Sequence, residues 1–350
     1  MRIMHLLQSD KYSGAESVVC QIIDLFHSDS DMEMVYVSPD GPIRLTLEER
    51  GIPFFALKDF SQKSVNHAIK TLKPDIIHAH DFNASVRSVM RRNVKIVSHL
   101  HNNPKWLPRI CLYSLVFYYA IRRVEIVIGV SDSIVREFVF RKRLASKYIC
   151  LPNVVNAESI ITKSNEERMP QIDVLFVGRL SEPKNPLGFL SIVREIQQRL
   201  NKSSNVLMIG VGPLREKCLQ YIRENKLEGS VRMIGFEKNP YKYIKAAKMV
   251  IMPSVYEGFG LVAVESMVVG TVVLASPVGG LVDILGGGCG FLCNTTNEFA
   301  NIAISILTGS INCDGVIEKA KHKAMTFSNV SSYKQKLKGI YESMREKLHE

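Results

Sequence analysis

The chain has 350 residues, 46% of them hydrophobic, which allows two domains with sizeable cores and excludes a disordered protein. The longest apolar run, residues 110–121, is shorter than the roughly 20 residues that a membrane-crossing helix needs. Seven scattered cysteines and an apolar run of only residues 3–7 at the N-terminus, too short for a signal peptide, favour a reduced, cytoplasmic protein.

Short strand-like runs alternate with helical patterns along the whole chain. The first six are RIMHLL, MEMVYVS, PFFAL, DIIHAH, KIVSHLH and EIVIGVS, and the later ones are QIDVLFVG, NVLMIGVG, VRMIGF, MVIMPS, TVVLAS and GGCGFLC. This alternation predicts the α/β class, with doubly wound parallel sheets whose ligands bind at the carboxyl ends of the strands.

One polar stretch, NAESIITKSNEERMPQ, interrupts that rhythm, and we place the domain boundary there. The predicted domains are residues 1–165 and 166–330. Residues 331–350 carry apolar side chains at helical spacing, so we expect a C-terminal helix that packs across both domains.

Two short stretches of the first domain raise the question of a phosphate or a metal. The turn QSDKYSGAES offers Gly14, where a phosphate or a sugar can approach the backbone. Asp29-Ser30-Asp31 resembles the D-x-D motif of metal-dependent transferases, but it precedes a strand instead of following one. We therefore interpret it as a surface loop.

Four histidines end two of the predicted strands. His78 and His80 lie in one strand, His99 and His101 in the next, and alternation points both rings of each pair to the same side. Zinc binding is one interpretation, but no cysteine or acidic third ligand lies nearby. We favour a polar, hydrogen-bonding role for at least His101.

The segment from residue 87 to residue 147 carries nearly the whole net charge of +11, with thirteen basic and three acidic residues. It includes the aromatic run YSLVFYYAI. Basic residues beside exposed aromatic ones are typical of proteins that bind anionic lipid or nucleic acid. A solvated basic face over a core helix is the alternative, and the sequence leaves both open.

The loop FVGRLSEPKNP follows a predicted strand that ends at Gly178. It places Arg179 and Lys184 just ahead of a helix, an arrangement suited to a phosphate or a diphosphate. The next strand is followed by Gly210 and Gly212, but G-x-G alone is weak and lacks the third glycine of a dinucleotide site.

The stretch SVYEGFGLVAVESMVVG places Glu257 before a Gly-Phe-Gly turn and Glu265 inside the apolar segment that follows. That segment, residues 261–269, predicts a buried helix. A glutamate inside such a helix needs a hydrogen-bonding partner, because its burial costs desolvation energy.

In this order, the motifs YSGAES, SHLHNN, GVSDSI, LPNVVN, FVGRLSEPKN, IGVGPLRE, VRMIGF and PSVYEGFGLVAVESMVVGTVVLAS resemble the retaining glycosyltransferases of family 4. The resemblance covers essentially the whole chain. It implies the GT-B fold, two Rossmann-like doubly wound domains that face a central cleft.

The resemblance also implies roles for single residues. Glu265 would bind the ribose, Glu257 would lie near the donor sugar, and Arg179 with Lys184 would hold the diphosphate. His101 would lie near the acceptor and the anomeric carbon. The remaining positions assigned to the nucleotide-sugar site are Gly14, Gly178, Gly212, Phe236, Phe259, Gly260 and Leu261.

Two positions depart from the family pattern. Ser13 stands where the family often has a second glycine in the first loop, which weakens the case for close backbone approach there. Asp283 stands where the family usually has glutamate, and its shorter side chain has less reach toward the donor.

We therefore expect a retaining transferase that uses a UDP- or GDP-sugar and requires no metal. The expected acceptor is a saccharide, lipid-linked, in the synthesis of a bacterial surface polysaccharide (capsule, O-antigen or lipopolysaccharide). The enzyme would be cytoplasmic or peripheral on the inner face of the membrane, where an anionic lipid surface is a further partner. The rivals are a nucleotide-sugar epimerase of the same fold and a basic nucleic-acid-binding protein, although the chain shows no nucleic-acid-binding motif.

Overall fold

The computed structural model describes residues 1–90, 94–201 and 204–346. Arg91 and Arg92 of the basic segment lie outside the described residues. The chain divides into two units, Met1–Asn153 with Val330–Glu350, and Val154–Asn329. The domain organisation predicted from sequence put the boundary at residue 165, later than this division.

The reason for the earlier division is the packing of one helix. Helix α8 (Ala157–Ser164) packs on α11 (Tyr241–Ala246) and α12 (Leu261–Val269), which belong to the second unit. The polar composition of residues 156–171 conceals the three residues Ala157, Ile160 and Ser164 that α8 buries.

The first unit is built on a seven-stranded parallel sheet in the order β3-β2-β1-β4-β5-β6-β7. Its strands are β1 (Arg2–Leu6), β2 (Glu33–Pro39), β3 (Phe54–Leu57), β4 (Ile76–His80), β5 (Lys95–Leu100), β6 (Ile126–Gly129) and β7 (Tyr148–Cys150). Its helices are α1 (Gly14–Phe26), α2 (Ile43–Glu49), α3 (Gln62–Leu72), α4 (Asp81–Ser88), α5 (Leu112–Ile121), α6 (Ser133–Glu137), α7 (Arg141–Ala145) and α16 (Val330–Glu346).

The strand order of this sheet reverses between β1 and β4, so the carboxyl ends of these two strands flank its switch point. All five residues of β4 are buried, as in a parallel sheet covered by helices on both faces. Six of these strands match predicted runs. Strand β7 was not predicted, because its three residues are too few to show a pattern.

The second unit contains a six-stranded parallel sheet in the order β10-β9-β8-β11-β12-β13. Its strands are β8 (Ile172–Val177), β9 (Val206–Ile209), β10 (Val231–Gly235), β11 (Ala247–Met252), β12 (Val272–Ala275) and β13 (Phe291–Leu292). Besides α8, α11 and α12, its helices are α9 (Pro186–Leu200), α10 (Arg215–Glu224), α13 (Gly280–Leu285), α14 (Thr296–Leu307) and α15 (Asp314–Thr326). The two doubly wound parallel sheets predicted from the strand rhythm are confirmed.

The C-terminal helix α16 belongs to the first unit, where both buried and charged contacts fix it. The hydroxyl of Tyr341 lies 2.7 Å from Nδ1 of His78, with both residues buried. Lys334 Nζ donates to Asp29 Oδ1 at 2.6 Å. The first carboxylate of the Asp29-Ser30-Asp31 stretch therefore holds α16.

Among the helices of the described residues, we find none with the length and apolar character that crossing a bilayer demands.

Candidate functional site

The predicted nucleotide-sugar residues of the second unit gather at the carboxyl edge of its sheet. The strand order reverses around β8 and β11, so the loops that follow these two strands flank the switch point. The loop after β8 carries Gly178, Arg179 and Lys184, and the loop after β11 carries Glu257. Chain segments about 70 residues apart in sequence are thus brought together by sheet order, with Lys184 and Glu257 in direct contact.

The loops after β8 and β9 are joined backbone to backbone. Gly178 N–H donates to the carbonyl of Ile209 at 3.0 Å, and Leu180 N–H donates to the carbonyl of Val211 at 2.9 Å. A Cβ atom at Gly212 would lie 2.4 Å from the carbonyl oxygen of Leu180. Gly212 is therefore required by this loop contact, whatever ligand binds beside it.

Two cations of the β8 loop have different surroundings. Lys184 donates to Glu257 in an ion pair in which the Glu257 side chain is 10% exposed and that of Lys184 is 26% exposed. Arg179 is exposed, and in the part of the chain that the structure describes its guanidinium has no side-chain partner. The loop thus offers one cation free for an incoming anion and one held by a carboxylate.

Asn185 fixes the loop that carries Lys184. Its φ is 50°, its Oδ1 accepts from the N–H of Gly188 at 3.1 Å, and its Nδ2 donates to the carbonyl of Pro253 at 3.0 Å. The same side chain caps α9 and ties the β8 loop to the β11 loop. Val255 N–H adds a second tie by donating to the carbonyl of Pro183 at 2.8 Å.

A second pair of glycines, Gly279 and Gly280, packs against the backbone of the Gly-Phe-Gly turn and of Glu257 before it. Gly279 has a φ of 53°, and a Cβ atom there would lie 1.6 Å from the carbonyl oxygen of Glu257. The N–H of Gly280 donates to the carbonyl of Gly258 at 3.2 Å. Gly279 and Gly280 were not predicted to support the site, although a Gly-Gly dipeptide after a strand is a turn signal.

The turn leads directly into α12. Gly260 caps the helix with a φ of 107°, and the Phe259 ring is buried edge-on against Phe327 with ring centroids 5.4 Å apart. The first N–H groups of a helix have no intrahelical acceptor, so the start of α12, at Leu261, favours a negatively charged group.

Glu265 lies in the second turn of α12, where it accepts a hydrogen bond from the hydroxyl of Tyr241 at 3.3 Å. Desolvation by burial raises the pKa of Glu265 to about 7, and the Tyr241 hydroxyl opposes that shift. The partner that a glutamate in an apolar helix requires is therefore a tyrosine from α11, which no local sequence pattern indicated.

Two further residues considered in the sequence analysis, Phe236 and Asp283, are exposed on the surface of the second unit. Phe236, directly after β10, is 66% exposed, so its ring is available for contact with a ligand. Asp283 is exposed on α13, and its backbone carbonyl accepts from Lys323.

In the first unit, Gly14 begins α1 at the switch point after β1. A Cβ atom there would meet nothing within 4 Å. Ser13 precedes the helix and donates through its hydroxyl to Glu16. The fold itself therefore does not require glycine at position 14. With glycine there, the space at the start of α1 is open.

Five buried histidines form a ladder across β1, β4 and β5. His5 Nδ1 lies 3.1 Å from His80 Nε2, and His80 Nδ1 lies 2.9 Å from His101 Nε2. His78 Nε2 lies 3.1 Å from His99 Nδ1. Four of these histidines were predicted to cluster, but His5 was not, because a single histidine in an apolar strand gives no signal of its own.

The ladder also meets the minimum requirement for a metal site. The ring nitrogens of His5, His78 and His80 lie within 4.8 Å of one another, as do those of His80, His99 and His101. In both triads the third ligand is a further histidine, whereas the sequence analysis considered only a cysteine or an acidic residue in that place. However, separations of 2.9 to 3.1 Å are those of N–H···N hydrogen bonds and are shorter than the roughly 3.3 Å between two nitrogens of a tetrahedral zinc site.

Burial keeps these histidines neutral. Desolvation lowers the pKa of His5 and of His101 to about 3 and lowers the pKa of His78, His80 and His99 well below the usual range. Each neutral imidazole has one donor and one acceptor nitrogen, so a hydrogen-bonded row of them must share one direction.

At the end of the row, His101 Nδ1 is buried and has no hydrogen-bond partner within the described ranges. Nδ1 of His101 can therefore form a hydrogen bond with a ligand, which is the polar role predicted for this residue. Asp81 lies beside it with a φ of 68° and accepts from the N–H of His101 at 2.8 Å. Burial raises the pKa of Asp81 to about 6, against hydrogen bonds from the His101 backbone and from Asn102.

The structure thus divides the predicted site residues between the two units. Gly14 and His101 belong to the first unit, and the other predicted positions belong to the second. The second unit carries an exposed arginine, a lysine–glutamate pair and a helix N-terminus, groups suited to a phosphate-bearing ligand.

Two family profiles match the chain. The description "Glycosyltransferase Family 4" applies to residues 12–159 and "Glycosyl transferases group 1" to residues 158–323. The two profiles meet at residues 158–159, near the start of the second unit at Val154.

Among curated proteins, an uncharacterized glycosyltransferase of Methanocaldococcus jannaschii is 26% identical over 225 residues, which is 57% of this chain and 54% of that protein. The N-acetylgalactosamine-N,N'-diacetylbacillosaminyl-diphospho-undecaprenol 4-alpha-N-acetylgalactosaminyltransferase of Campylobacter jejuni is 29% identical over 225 residues, 62% of this chain and 60% of that protein. The chain therefore spans between about half and two thirds of the length of these relatives.

Among solved structures, HepE of Anabaena in complex with UDP-glucose superimposes with a TM-score of 0.83 at 22% identity, over 98% of this chain and 100% of that one. This similarity establishes the fold, two Rossmann-like domains of the GT-B type.

The histidine ladder predicts a loss of stability in mild acid. The pKa of His5 and of His101 is about 3 in the folded chain and near 6.5 when unfolded, so below pH 6.5 the unfolded state binds more protons. The free energy of unfolding should fall by about 1 kcal/mol per pH unit for each such histidine, and Asp81 and Glu265, whose pKa values are raised, should partly oppose the fall.

Urea unfolding between pH 7 and 4.5 measures this slope. The slope reports how many protons the chain takes up on unfolding, and we expect that number to be smaller by about one in His5→Gln. It should be unchanged in the matched control His322→Gln, since His322 is exposed. Equal slopes in wild type and His5→Gln would contradict the neutral, buried state of the ladder.

Proposed function

The chain belongs to the group 1 glycosyltransferases of family 4, and from that premise we propose that it transfers a sugar from a nucleotide diphosphate sugar to a hydroxyl of a saccharide acceptor, with retention of the anomeric configuration. The observation that carries the proposal is the Lys184–Glu257 pair at the carboxyl edge of the second sheet, in the loops that also carry the exposed Arg179 and lead into α12. These groups supply the charges that a nucleotide diphosphate sugar requires.

The diphosphate is proposed to bind Arg179 and Lys184. When the bond between the sugar and the diphosphate breaks, negative charge develops on the departing diphosphate, and the two cations stabilise it more in the transition state than in the ground state. Lys184 is already oriented by Glu257, so little reorganisation is needed. At the start of α12, the backbone N–H groups of Phe259, Gly260 and Leu261 are proposed to contact negative charge of the same kind.

Glu265 is proposed to accept hydrogen bonds from the ribose hydroxyls. Its half-buried position and the one side-chain hydrogen bond that it accepts among the described residues, from Tyr241 at 3.3 Å, leave acceptor capacity on the carboxylate. Burial of this carboxylate costs desolvation energy that a bound ribose would offset. Phe236 and Gly178 would complete the nucleotide end of this subsite, and Gly212 would keep the backbone there in place.

The retaining mechanism is proposed to proceed without a side-chain base. The leaving phosphate accepts the proton of the acceptor hydroxyl on the same face of the sugar. His101, neutral and with Nδ1 unpartnered among the described residues, would orient the sugar or stabilise the positive charge at the anomeric carbon. Gly14 leaves space at the start of α1 for a sugar or phosphate group.

The donor is proposed to be a UDP- or a GDP-sugar, with UDP-glucose as the first compound to test because the Anabaena structure contains it. The acceptor is proposed to be lipid-linked, since the Campylobacter relative is named for a diphospho-undecaprenol acceptor. Synthesis of a bacterial surface polysaccharide, at the inner face of the membrane, is the corresponding place of action.

A thermal-stability screen against nucleotides and nucleotide sugars tests the donor assignment directly, because ligands of the folded state raise its apparent stability. Donor turnover that requires an added saccharide supports transfer, whereas sugar epimerisation without an acceptor supports the nucleotide-sugar epimerase. Stabilisation by nucleic acid alone would support the basic nucleic-acid-binding protein.

Removal of either cation of the β8 loop should slow the reaction. We expect Arg179→Ala and Lys184→Ala each to lower kcat by about 100-fold or more, because each removes stabilisation of the leaving diphosphate. Lys217→Ala, at an exposed site on α10, is the matched control.

Because Lys184→Ala also leaves Glu257 without its partner, the double variant with Glu257→Gln separates this local effect from the loss of charge. Near-normal turnover of Arg179→Ala and Lys184→Ala at unchanged melting temperature would eliminate the diphosphate assignment.

Loss of Glu265 should act mainly on binding. Glu265→Ala is expected to weaken nucleotide affinity more than it lowers kcat, since ribose contacts are present in both ground and transition states. Titration calorimetry with UDP and GDP measures the affinity, and Tyr241→Phe serves as a control that keeps the carboxylate. Unchanged affinity in Glu265→Ala would refute the ribose contact.

Chelation of metal ions should leave the activity largely intact, because Arg179 and Lys184 supply the positive charge at the diphosphate. Turnover measured with and without EDTA, after dialysis, checks this expectation. If EDTA abolished turnover and a divalent cation restored it, the two histidine triads would be the first sites to test as ligands.

A further inference from the structure

Helix α5 (Leu112–Ile121) is apolar on two opposite faces. One face, made of Ser114, Phe117, Ala120 and Ile121, is buried. The Phe117 ring packs edge-on against Phe82 and Phe138, with centroids 4.7 and 5.6 Å away. This face satisfies the need of the helix for a core, so the apolar residues of the other face are not required for folding.

The opposite face is exposed and also apolar. Leu112, Leu115, Val116 and Tyr119 follow the i, i+3, i+4, i+7 spacing of one helical stripe. Leu112 is 73% exposed and Tyr119 is 61% exposed. The stripe is extended before the helix by Ile110, 72% exposed, and within the helix by Tyr113, 65% exposed. We call these six residues the α5 face.

A continuous apolar surface of this kind is unusual on a soluble protein, whereas single exposed apolar residues are common. The same faces also answer the question that the aromatic run raised in the sequence. Phe117 is a core residue, Tyr119 is exposed, and Trp106 and Tyr118 are partly buried. The run therefore serves both as core and as surface.

Basic residues border the α5 face at both ends. Arg109 precedes it, Arg122 follows it, and both are exposed. Helix α7, which packs against α5, adds exposed Arg141 and Lys142. Lys147 Nζ instead donates to the carbonyls of Ile121 and Val124, at 3.1 and 2.5 Å, where it caps the end of α5.

We propose that the α5 face docks the protein on an anionic lipid bilayer, with its apolar side chains entering the interface and the bordering arginines and lysine contacting lipid phosphates. The inference extends the proposed function, since it assigns the surface on which an enzyme with a lipid-linked acceptor would rest. An amphipathic surface with apolar residues at the centre and cations at the rim is complementary to a bilayer surface.

The aliphatic side chains decide between lipid and nucleic acid. A nucleic acid would pair with the arginines and could stack on the tyrosines, but it offers no apolar partner to Ile110, Leu112 and Val116. Acyl chains at a membrane interface do offer apolar partners to these side chains. A second copy of this chain would cover the aliphatic residues but would bring two basic rims together, at an electrostatic cost.

Co-sedimentation of the full chain with vesicles tests the proposal, without donor or acceptor, so that its failure leaves the glycosyltransferase assay unaffected. Vesicles of phosphatidylcholine mixed with phosphatidylglycerol should bind the protein, and vesicles of phosphatidylcholine alone should bind it weakly. Added salt should reduce the binding as it screens the charges.

Two sets of substitutions separate the apolar from the electrostatic contribution. The double variant Leu112→Gln, Val116→Gln should reduce partitioning about tenfold or more, since it removes two side chains that would enter the interface. Leu45→Gln, at an equally apolar position on α2 that is 68% exposed, is the matched control and should bind like wild type.

For the charges, Arg109→Glu and Arg122→Glu should each reduce partitioning about fivefold or more. Lys217→Glu, on an exposed site of the second unit, is the matched control. All of these positions are exposed, and equal melting temperatures verify that the variants remain folded.

Three results would overturn the docking proposal. The first is recovery of wild type in the supernatant with both kinds of vesicle, and the second is equal binding by wild type and the Leu112→Gln, Val116→Gln variant. The third comes from sedimentation velocity. A wild-type dimer that this double variant converts to a monomer, with lipid binding unchanged, would assign the α5 face to a second copy of the chain.

Discussion

The close approach of loop backbones at the carboxyl edge of the second sheet is the constraint on which the candidate site depends. At Gly279, a Cβ atom would lie 1.6 Å from the carbonyl oxygen of Glu257, and at Gly212 it would lie 2.4 Å from that of Leu180. No side chain can be accommodated in either place. Because these loops touch, Glu257 is held where it pairs with Lys184, and α12 begins beside the same pair. Charge and helix terminus are thus set by backbone geometry before any ligand binds.

The first unit uses a different device, a row of neutral imidazoles inside a parallel sheet. Buried polar rings are costly unless they are hydrogen-bonded, and here each ring binds another ring or the hydroxyl of Tyr341. The bonds form two rows, His5–His80–His101, which begins at the first strand, and Tyr341–His78–His99, to which the C-terminal helix α16 contributes the tyrosine. Because the buried imidazoles are neutral, the network should make the fold sensitive to acid. It also keeps the His101 ring fixed in place and uncharged.

The α5 face shows why hydropathy alone was ambiguous. A helix that is apolar all round is usually buried all round, yet α5 packs only its Phe117 side against the core. The sequence carries no mark that separates Phe117, which is buried, from Tyr119, which is exposed. The packing of α4, α7 and Phe138 on one side of α5 determines which stripe remains on the surface.

The sequence by itself determined the strand rhythm, the parallel sheets, the two glutamates around a glycine turn and the two cations of the loop after β8, because these features depend on local periodicity and spacing. The sequence could not determine that Lys184 pairs with Glu257, that Tyr241 binds Glu265 or that His5 joins the histidine ladder. These contacts connect residues that are far apart in the chain, and the order of strands in each sheet decides which of them meet. The boundary at Asn153 and the supporting role of Gly279 were likewise decided by tertiary packing, since both follow from which surfaces touch.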